Sequence, residues 1–265
     1  MAISGSAVNL STLLLEKNRA NGKGPTLVVT EWMEEAGEAG FAGLEIWINH
    51  LVFSSRSEWE LIVEKSGEYD LPVASIIASI PVDGSDKSQR FRDSVLEALD
   101  YFRPETLKFT FPDPRAPETF GFVKEWSRDV PRDTALIYDA GESAGAQALS
   151  EARKALDGGR FMAVLHPFLL SPKDLEAALA AAGDFAGNIG VQSRKGSKAI
   201  LLGDNGDEHR RVIAAVRASG FVGTWTLEST EGAGLPGEDI EGLFDNAEKD
   251  LNFLIEAQTR AARAR

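Results

Sequence analysis

Four side chains in the second half of the chain carry groups able to bind a cation or move a proton, and each ends an apolar, strand-like run. Thr134-Ala-Leu-Ile-Tyr ends on Asp139, Phe161-Met-Ala-Val-Leu on His166, Asn188-Ile-Gly-Val on Gln192, and Gly223-Thr-Trp-Thr-Leu on Glu228. Side chains alternate along a strand, so residues two apart share a face. Glu228 then points with Thr226 and Thr224, Asp139 with Ile137, His166 with Val164 and Gln192 with Gly190. Trp225, Leu227, Tyr138, Leu165 and Val191 take the opposite face. One phase therefore gathers two carboxylates, an imidazole and an amide at four strand ends. Oxygen donors with a single nitrogen suit a hard divalent ion, Mn²⁺, Mg²⁺ or Co²⁺, better than a thiophilic one. The alternative is that the four groups only hydrogen-bond loops and one another.

The same rule turns Glu45 inward, with Trp47 two residues on, and Lys108 as well. These three are expected to face the substrate region, with Lys108 and Glu45 meeting as an ion pair that fills the barrel centre. A carboxylate beside the lysine raises its pKa, the opposite of what a Schiff-base lysine needs. Directly after Gln192, the run Ser193-Arg-Lys-Gly-Ser-Lys198 concentrates cations in an otherwise acidic chain. Arg194 and Lys195 are expected to receive an anionic group of the substrate; a solvated loop is the plainer reading. His50 and His209 fall outside the pattern and receive no role.

The elements that must position these groups alternate along the chain. Strands are predicted over Ala2–Leu10, Gly43–Trp47, Leu71–Ile80 and Thr106–Phe111, then at the four runs above. Helices are predicted from Thr30 to Gly40, Ser57 to Lys65, Asp86 to Phe102, Glu118 to Asp129, Ala144 to Leu156, Lys173 to Ala182, Glu208 to Ser219 and Asp239 to Ala262. Thr30 is expected to cap the first helix. A polar stretch, Glu16–Pro25, reads as a long loop over the mouth or an ordinary surface loop. Strict alternation implies parallel strands joined by crossover helices. Eight units favour closure into a single α/β (β/α)8 TIM barrel spanning residues 1–265, whose chemistry sits at the C-terminal ends of its strands. An open doubly wound sheet is the runner-up, but no Gly-x-Gly-x-x-Gly follows the first strand.

Composition agrees. The 265 residues match the roughly 250 that such a barrel needs. Hydrophobic residues make up 43%, enough for a core. A net charge of −13 argues against a nucleic-acid or anionic-membrane surface. Without cysteine there is no disulfide, thiolate ligand or cysteine nucleophile. No basic stretch leads into a long apolar run, so the expected compartment is the cytoplasm. The expected partner is a small molecule, with a homo-oligomer left open.

Two places carry a family likeness. Gly40-Phe-Ala-Gly-Leu-Glu-Ile-Trp47 resembles the second strand of the xylose isomerase-like barrels, a group of sugar isomerases, epimerases and inosose or dehydroshikimate dehydratases. Leu202-Gly-Asp-Asn-Gly-Asp207, the run Val212–Gly223 and Thr226-Leu-Glu228 are similar to that family's ending. The resemblance implies a divalent metal at the ends of strands five to eight, held there by Glu, Asp, His and Glu. The matching positions here are Asp139, His166, Gln192 and Glu228, of which only Glu228 agrees in identity; Gln192 resembles some dehydroshikimate dehydratases. Endonuclease IV, a DNA-repair relative, needs many more histidines than the 3 present. The implied activity is metal-dependent isomerisation or epimerisation of a sugar or sugar-like hydroxy-carbonyl substrate, with Glu228 or Asp139 removing the proton next to the carbonyl. Two alternatives stand beside it. One is metal-dependent dehydration of a cyclic hydroxy-keto acid; the other is a metal-free, non-catalytic barrel serving as a ligand-binding or partner subunit.

Overall fold

Eight parallel strands close into a barrel in the computed structural model, which describes residues 7–17, 24–111, 118–141, 145–156, 160–235 and 238–263. They are β1 (Val8–Ser11), β2 (Gly43–Trp47), β3 (Val73–Ser79), β4 (Thr106–Thr110), β5 (Ala135–Tyr138), β6 (Phe161–Leu165), β7 (Ala186–Val191) and, after a two-stranded hairpin, β10 (Thr224–Leu227). β1 pairs with both β2 and β10, and β7 lies between β6 and β10. The predicted barrel class is therefore the observed one. Among the described residues no helix is long and apolar enough to cross a membrane.

The predicted faces hold. Tyr138, Leu165, Val191, Trp225 and Leu227 belong to the main apolar cluster between strands and helices. Ile137 and Val164 are as deeply buried but stand outside that cluster, inside the barrel. The helices that close the outer layer begin at side-chain caps the sequence supplies. Ser55, Ser85 and Ser171 accept the backbone N–H of Glu58, Ser88 and Asp174 at the starts of α4 (Arg56–Glu68), α5 (Asp86–Phe102) and α8 (Pro172–Ala182). Each cap satisfies a donor that the first helical turn leaves open.

Several local expectations are corrected. The first strand runs over Val8–Ser11, and residues 2–6 of its predicted span lie outside the described residues. It passes straight into α1 (Thr12–Leu15), whose Leu14 and Leu15 are buried. Glu16, placed in a loop by its polarity, is 0% exposed. It accepts hydrogen bonds from the Thr26 N–H at 2.9 Å, the Thr26 hydroxyl at 2.8 Å and the Leu27 N–H at 3.0 Å, fastening the return of the chain (residues 18–23 lie outside the described residues). Thr30 does not cap a helix. It is buried in a 3-10 turn and donates to Glu58 Oε1 at 2.8 Å, while α2 (Met33–Ala39) starts later and ends at Gly40, whose φ of 92° suits a glycine. A short α3 (Ile48–Val52) follows β2, and a hairpin, β8 (Arg194–Lys195) with β9 (Lys198–Ala199), follows β7; neither was anticipated. The remaining helices are α6 (Glu118–Trp126), α7 (Ala146–Ala155), α9 (Gly206–Ala218) and α10 (Ile240–Arg263).

Candidate functional site

Asp139, His166, Gln192 and Glu228 do meet, each one residue past the end of its strand, at the C-terminal mouth of the barrel. They line a cavity of about 330 Å³ together with Ser11, Glu45 and Arg194, and the β10–α10 loop contributes Ser229, Ala233 and Gly234. Lys108, Trp47 and Lys195 do not line it. Trp47 packs edge-on against the His50 ring, with centroids 5.6 Å apart, and Lys195 lies exposed in the hairpin.

Within the cavity wall the polar groups form a chain of ion pairs. Lys108 Nζ on β4 lies 2.8 Å from Glu45 Oε2 and 2.5 Å from Glu228 Oε1. Glu228 Oε2 is 3.3 Å from His166 Nδ1, and His166 Nε2 is 3.1 Å from Asp139 Oδ1. That Asp139 oxygen also accepts the Gly141 N–H at 2.8 Å. The Gln192 amide lies 3.2 Å from His166 Nδ1. The Lys108–Glu45 pair is as the sequence suggested; the second partner of Lys108, Glu228, was not foreseen.

The close approach of His166 to Glu228 depends on Gly190, which alternation turns inward but to which the sequence reading gave no role. β7 separates β6 from β10, and Gly190 is its inward residue between them. A Cβ at Gly190 would stand 2.4 Å from His166 Nδ1 and 2.6 Å from Glu228 Oε2. Only a residue without a side chain lets the two meet across the strand. The signal was present in the sequence, because a glycine inside a strand marks a close approach.

Each ionisation follows from these neighbours. Burial works against the His166 cation, but the charge of Glu228 and the hydrogen bond to Asp139 prevail and raise its pKa to about 10. Burial would likewise raise Asp139, yet the hydrogen bond and charge of His166, with Lys108 behind, hold it down to about 2. For Glu228 the burial effect is overcome by Lys108 and His166, and its pKa is lowered. Burial does prevail at Glu45, whose pKa is raised despite Lys108. Lys108 stays firmly protonated: the desolvation that would release its proton is outweighed by Glu228, Glu45 and Asp139.

These facts bear on the expected divalent ion. A doubly protonated imidazole has no in-plane lone pair to give to a metal, and both His166 nitrogens face carboxylates. Both Glu228 oxygens are engaged. An ion on Glu228 would also sit within about 5 Å of the Lys108 ammonium, a repulsion of several kcal/mol at an effective dielectric of about 20. Among the described residues, no three His, Asp or Glu side chains are placed to share a metal ion. As they stand, these residues do not fit a divalent ion, and no chemical step is routed through one.

Outside the cavity, His209 closes the base of the hairpin. Its Nε2 is 3.1 Å from the Ser193 hydroxyl, and its Nδ1 donates to the Leu202 carbonyl at 2.6 Å. Asp250 of α10 accepts the Leu202 N–H and the Thr230 hydroxyl, each at 2.7 Å, and so ties the loop that follows Glu228 to the segment after the hairpin. Neither residue was singled out from sequence.

No family model matches the chain, and no curated protein matches it by sequence. Solved structures do. The D-psicose 3-epimerase of Clostridium cellulolyticum H10, solved with D-tagatose, superposes with a TM-score of 0.66 at 12% identity, covering 97% of each chain. The probable 3-DHS dehydratase AsbF of Bacillus anthracis gives 0.65 at 12% identity over 94% of this chain and 98% of its own. A xylose isomerase domain protein of Alicyclobacillus acidocaldarius gives 0.67 at 12% identity over 96% and 100%. Endonucleases share the architecture too. At such identities the likeness is one of fold: the chain shares the (β/α)8 barrel of these proteins.

Proposed function

We propose that the chain is an enzyme of the isomerase or epimerase kind, moving a proton on a carbon next to the carbonyl of a small sugar or sugar-like substrate in the cytoplasm. The observation that carries this reading is the pair of cavity-lining carboxylates, Glu228 and Asp139, joined through one imidazolium, His166. Isomerisation and epimerisation each need one group to take a proton and another to return one. Glu228, kept ionised, takes the proton from the substrate carbon, and the C–H electron pair moves onto the carbonyl oxygen. The fixed positive charges of Lys108 and His166 favour that developing anion without reorganising. Once Glu228 has taken the proton and lost its charge, the support that kept His166 protonated is gone, and the Nε2 proton passes through Asp139 to the new carbon or the opposite face in one concerted transfer. Water at the cavity mouth then carries the Glu228 proton away and restores His166. The epimerase among the similar structures supports this choice as an analogy of fold.

A second reading, dehydration of a cyclic hydroxy-keto acid, is favoured by one feature. Arg194 lines the same cavity as the carboxylates and offers a guanidinium to an acid group. In that case proton removal is followed by loss of a β-hydroxyl as water.

The test is deuterium wash-in. The protein is incubated in D2O with a panel of ketoses, aldoses and cyclic hydroxy-keto acids, and carbon-bound deuterium is read by NMR and mass spectrometry. Exchange next to the carbonyl without loss of water supports isomerisation or epimerisation; a conjugated, dehydrated product supports the second reading. Glu228→Gln keeps the shape and should stay folded while losing a factor of about 10²–10⁴ in rate. Full activity in that variant would sink the mechanism.

A further inference from the structure

Lys108 is buried at a cost that packing alone does not explain. Its side chain is 1% exposed and touches carboxylates on two sides, Glu45 and Glu228. Desolvating such groups is expensive, and an apolar side chain of similar volume usually serves stability better. The charge therefore has work to do at the floor of the mouth. Three carboxylates (Glu45, Asp139 and Glu228) meet two cations there, Lys108 and His166. Besides Lys108, Glu45 faces the Ser11 hydroxyl of the neighbouring strand, in register with it, and lines the cavity while 1% exposed.

We infer that Lys108 is a resident cation occupying the place of a divalent ion, that the barrel holds no divalent ion there while Lys108 is present, and that deleting its ammonium opens a divalent-cation site between Glu45 and Glu228. Removing one positive charge leaves three carboxylates against one imidazolium, an excess of two negative charges. The oxygens freed are Glu45 Oε2 and Glu228 Oε1. This is a hard-oxygen set suited to Mn²⁺ or Mg²⁺. Metal-independent turnover follows from this inference only if the proposed activity is right. The ion-binding part needs no substrate, so the two stand or fall separately.

The experiment is a Mn²⁺ titration followed by the EPR signal of the free ion, on wild type and on Lys108→Met, with circular dichroism to confirm folding. Wild type should leave the free-ion signal intact, and Lys108→Met should take up one equivalent at least about a hundredfold more tightly. If Lys108→Met does not fold, Lys108→Gln, which keeps a polar side chain there and leaves both carboxylates in place, should show the same gain. Stoichiometric Mn²⁺ uptake by wild type, or a divalent ion retained through purification, overturns the inference. So does a folded cation-deleted variant that binds no better than wild type. A chelator should leave any deuterium exchange by wild type unchanged.

Discussion

Replacing Gly190 by alanine tests the geometry of the site with a single methyl group. The new Cβ would stand 2.4 Å from His166 Nδ1, 2.5 Å from His166 Cε1 and 2.6 Å from Glu228 Oε2. Ordinary contacts begin near 3.4 Å, so each group must retreat by roughly 1 Å. Gly190 lies in extended strand and gains no backbone strain, which leaves the clash as the whole effect. Inserting a methyl into a packed interior costs about 1–3 kcal/mol. For a chain of this size that lowers Tm by roughly 2–10 °C. The chemical effect should be larger in proportion, since a 1 Å misplacement of a reacting group costs about 10²-fold in rate. The assay pairs thermal unfolding with the deuterium exchange described above. Gly121→Ala serves as control: its Cβ meets nothing within 4 Å on α6, and alanine should stabilise that helix by about 0.5–1 kcal/mol. If Gly190→Ala keeps wild-type Tm and rate, His166 and Glu228 do not meet across β7, and the reasoning fails.

Trp225 faces away from the cavity, 0% exposed, against Phe168 and Phe221. Trp225→Ala should cost about 3–5 kcal/mol in denaturant unfolding while molecules that remain folded keep their rate; a loss of rate per folded molecule would contradict the face assignment. Arg194→Ala should raise KM for anionic substrates far more than for neutral ones, and equal effects would remove the reason to favour an acid. The pH dependence of stability should carry two losses on raising pH, in separate windows. His166, raised to about 10 from its ordinary 6.5, contributes stability fully present below pH 6.5 and lost as pH rises through 10. Asp250, raised by burial to about 6 from 3.8, loses the folded state stability as pH rises between those values. Asp250→Asn should therefore gain Tm relative to wild type between pH 4 and 7, and a constant difference across that range would refute the assignment.

The fold was legible because its signal is periodic. β5, β6, β7 and β10 each end where an apolar run gives way to a polar residue, and the helices between them carry an amphipathic stripe. The four strand-end residues were legible for the same reason, since alternation alone assigns their face. What alternation cannot show is reach. Lys108 lies on β4 and Glu228 just past β10, strands that are not neighbours in the sheet, and a long side chain crossing the barrel leaves no mark in local sequence. The family likeness also steered Glu228 toward a metal and away from the lysine. Glu16 lies in the predicted loop, but its burial was not legible, because a carboxylate satisfied by backbone N–H groups looks, in sequence, like any polar loop residue. The hairpin after Gln192 was read for charge alone, although Gly196, at φ 64°, is the turn residue such a hairpin needs.

The arrangement makes Glu228 the residue on which two independent constraints converge. From the side, His166 reaches it over β7, which contributes no charge and, at Gly190, no bulk. Below, Asn188 of the same strand donates to the Thr224 and Thr226 hydroxyls at 3.0 and 2.9 Å and holds β10 in register with β7. From across the barrel, Lys108 takes the other carboxylate oxygen. A glutamate is long enough to satisfy both partners at once, one oxygen each, and still line the cavity. An aspartate would reach only one. The carboxylate proposed to move the proton is thus held from two directions before any substrate arrives, and the same two contacts keep it ionised.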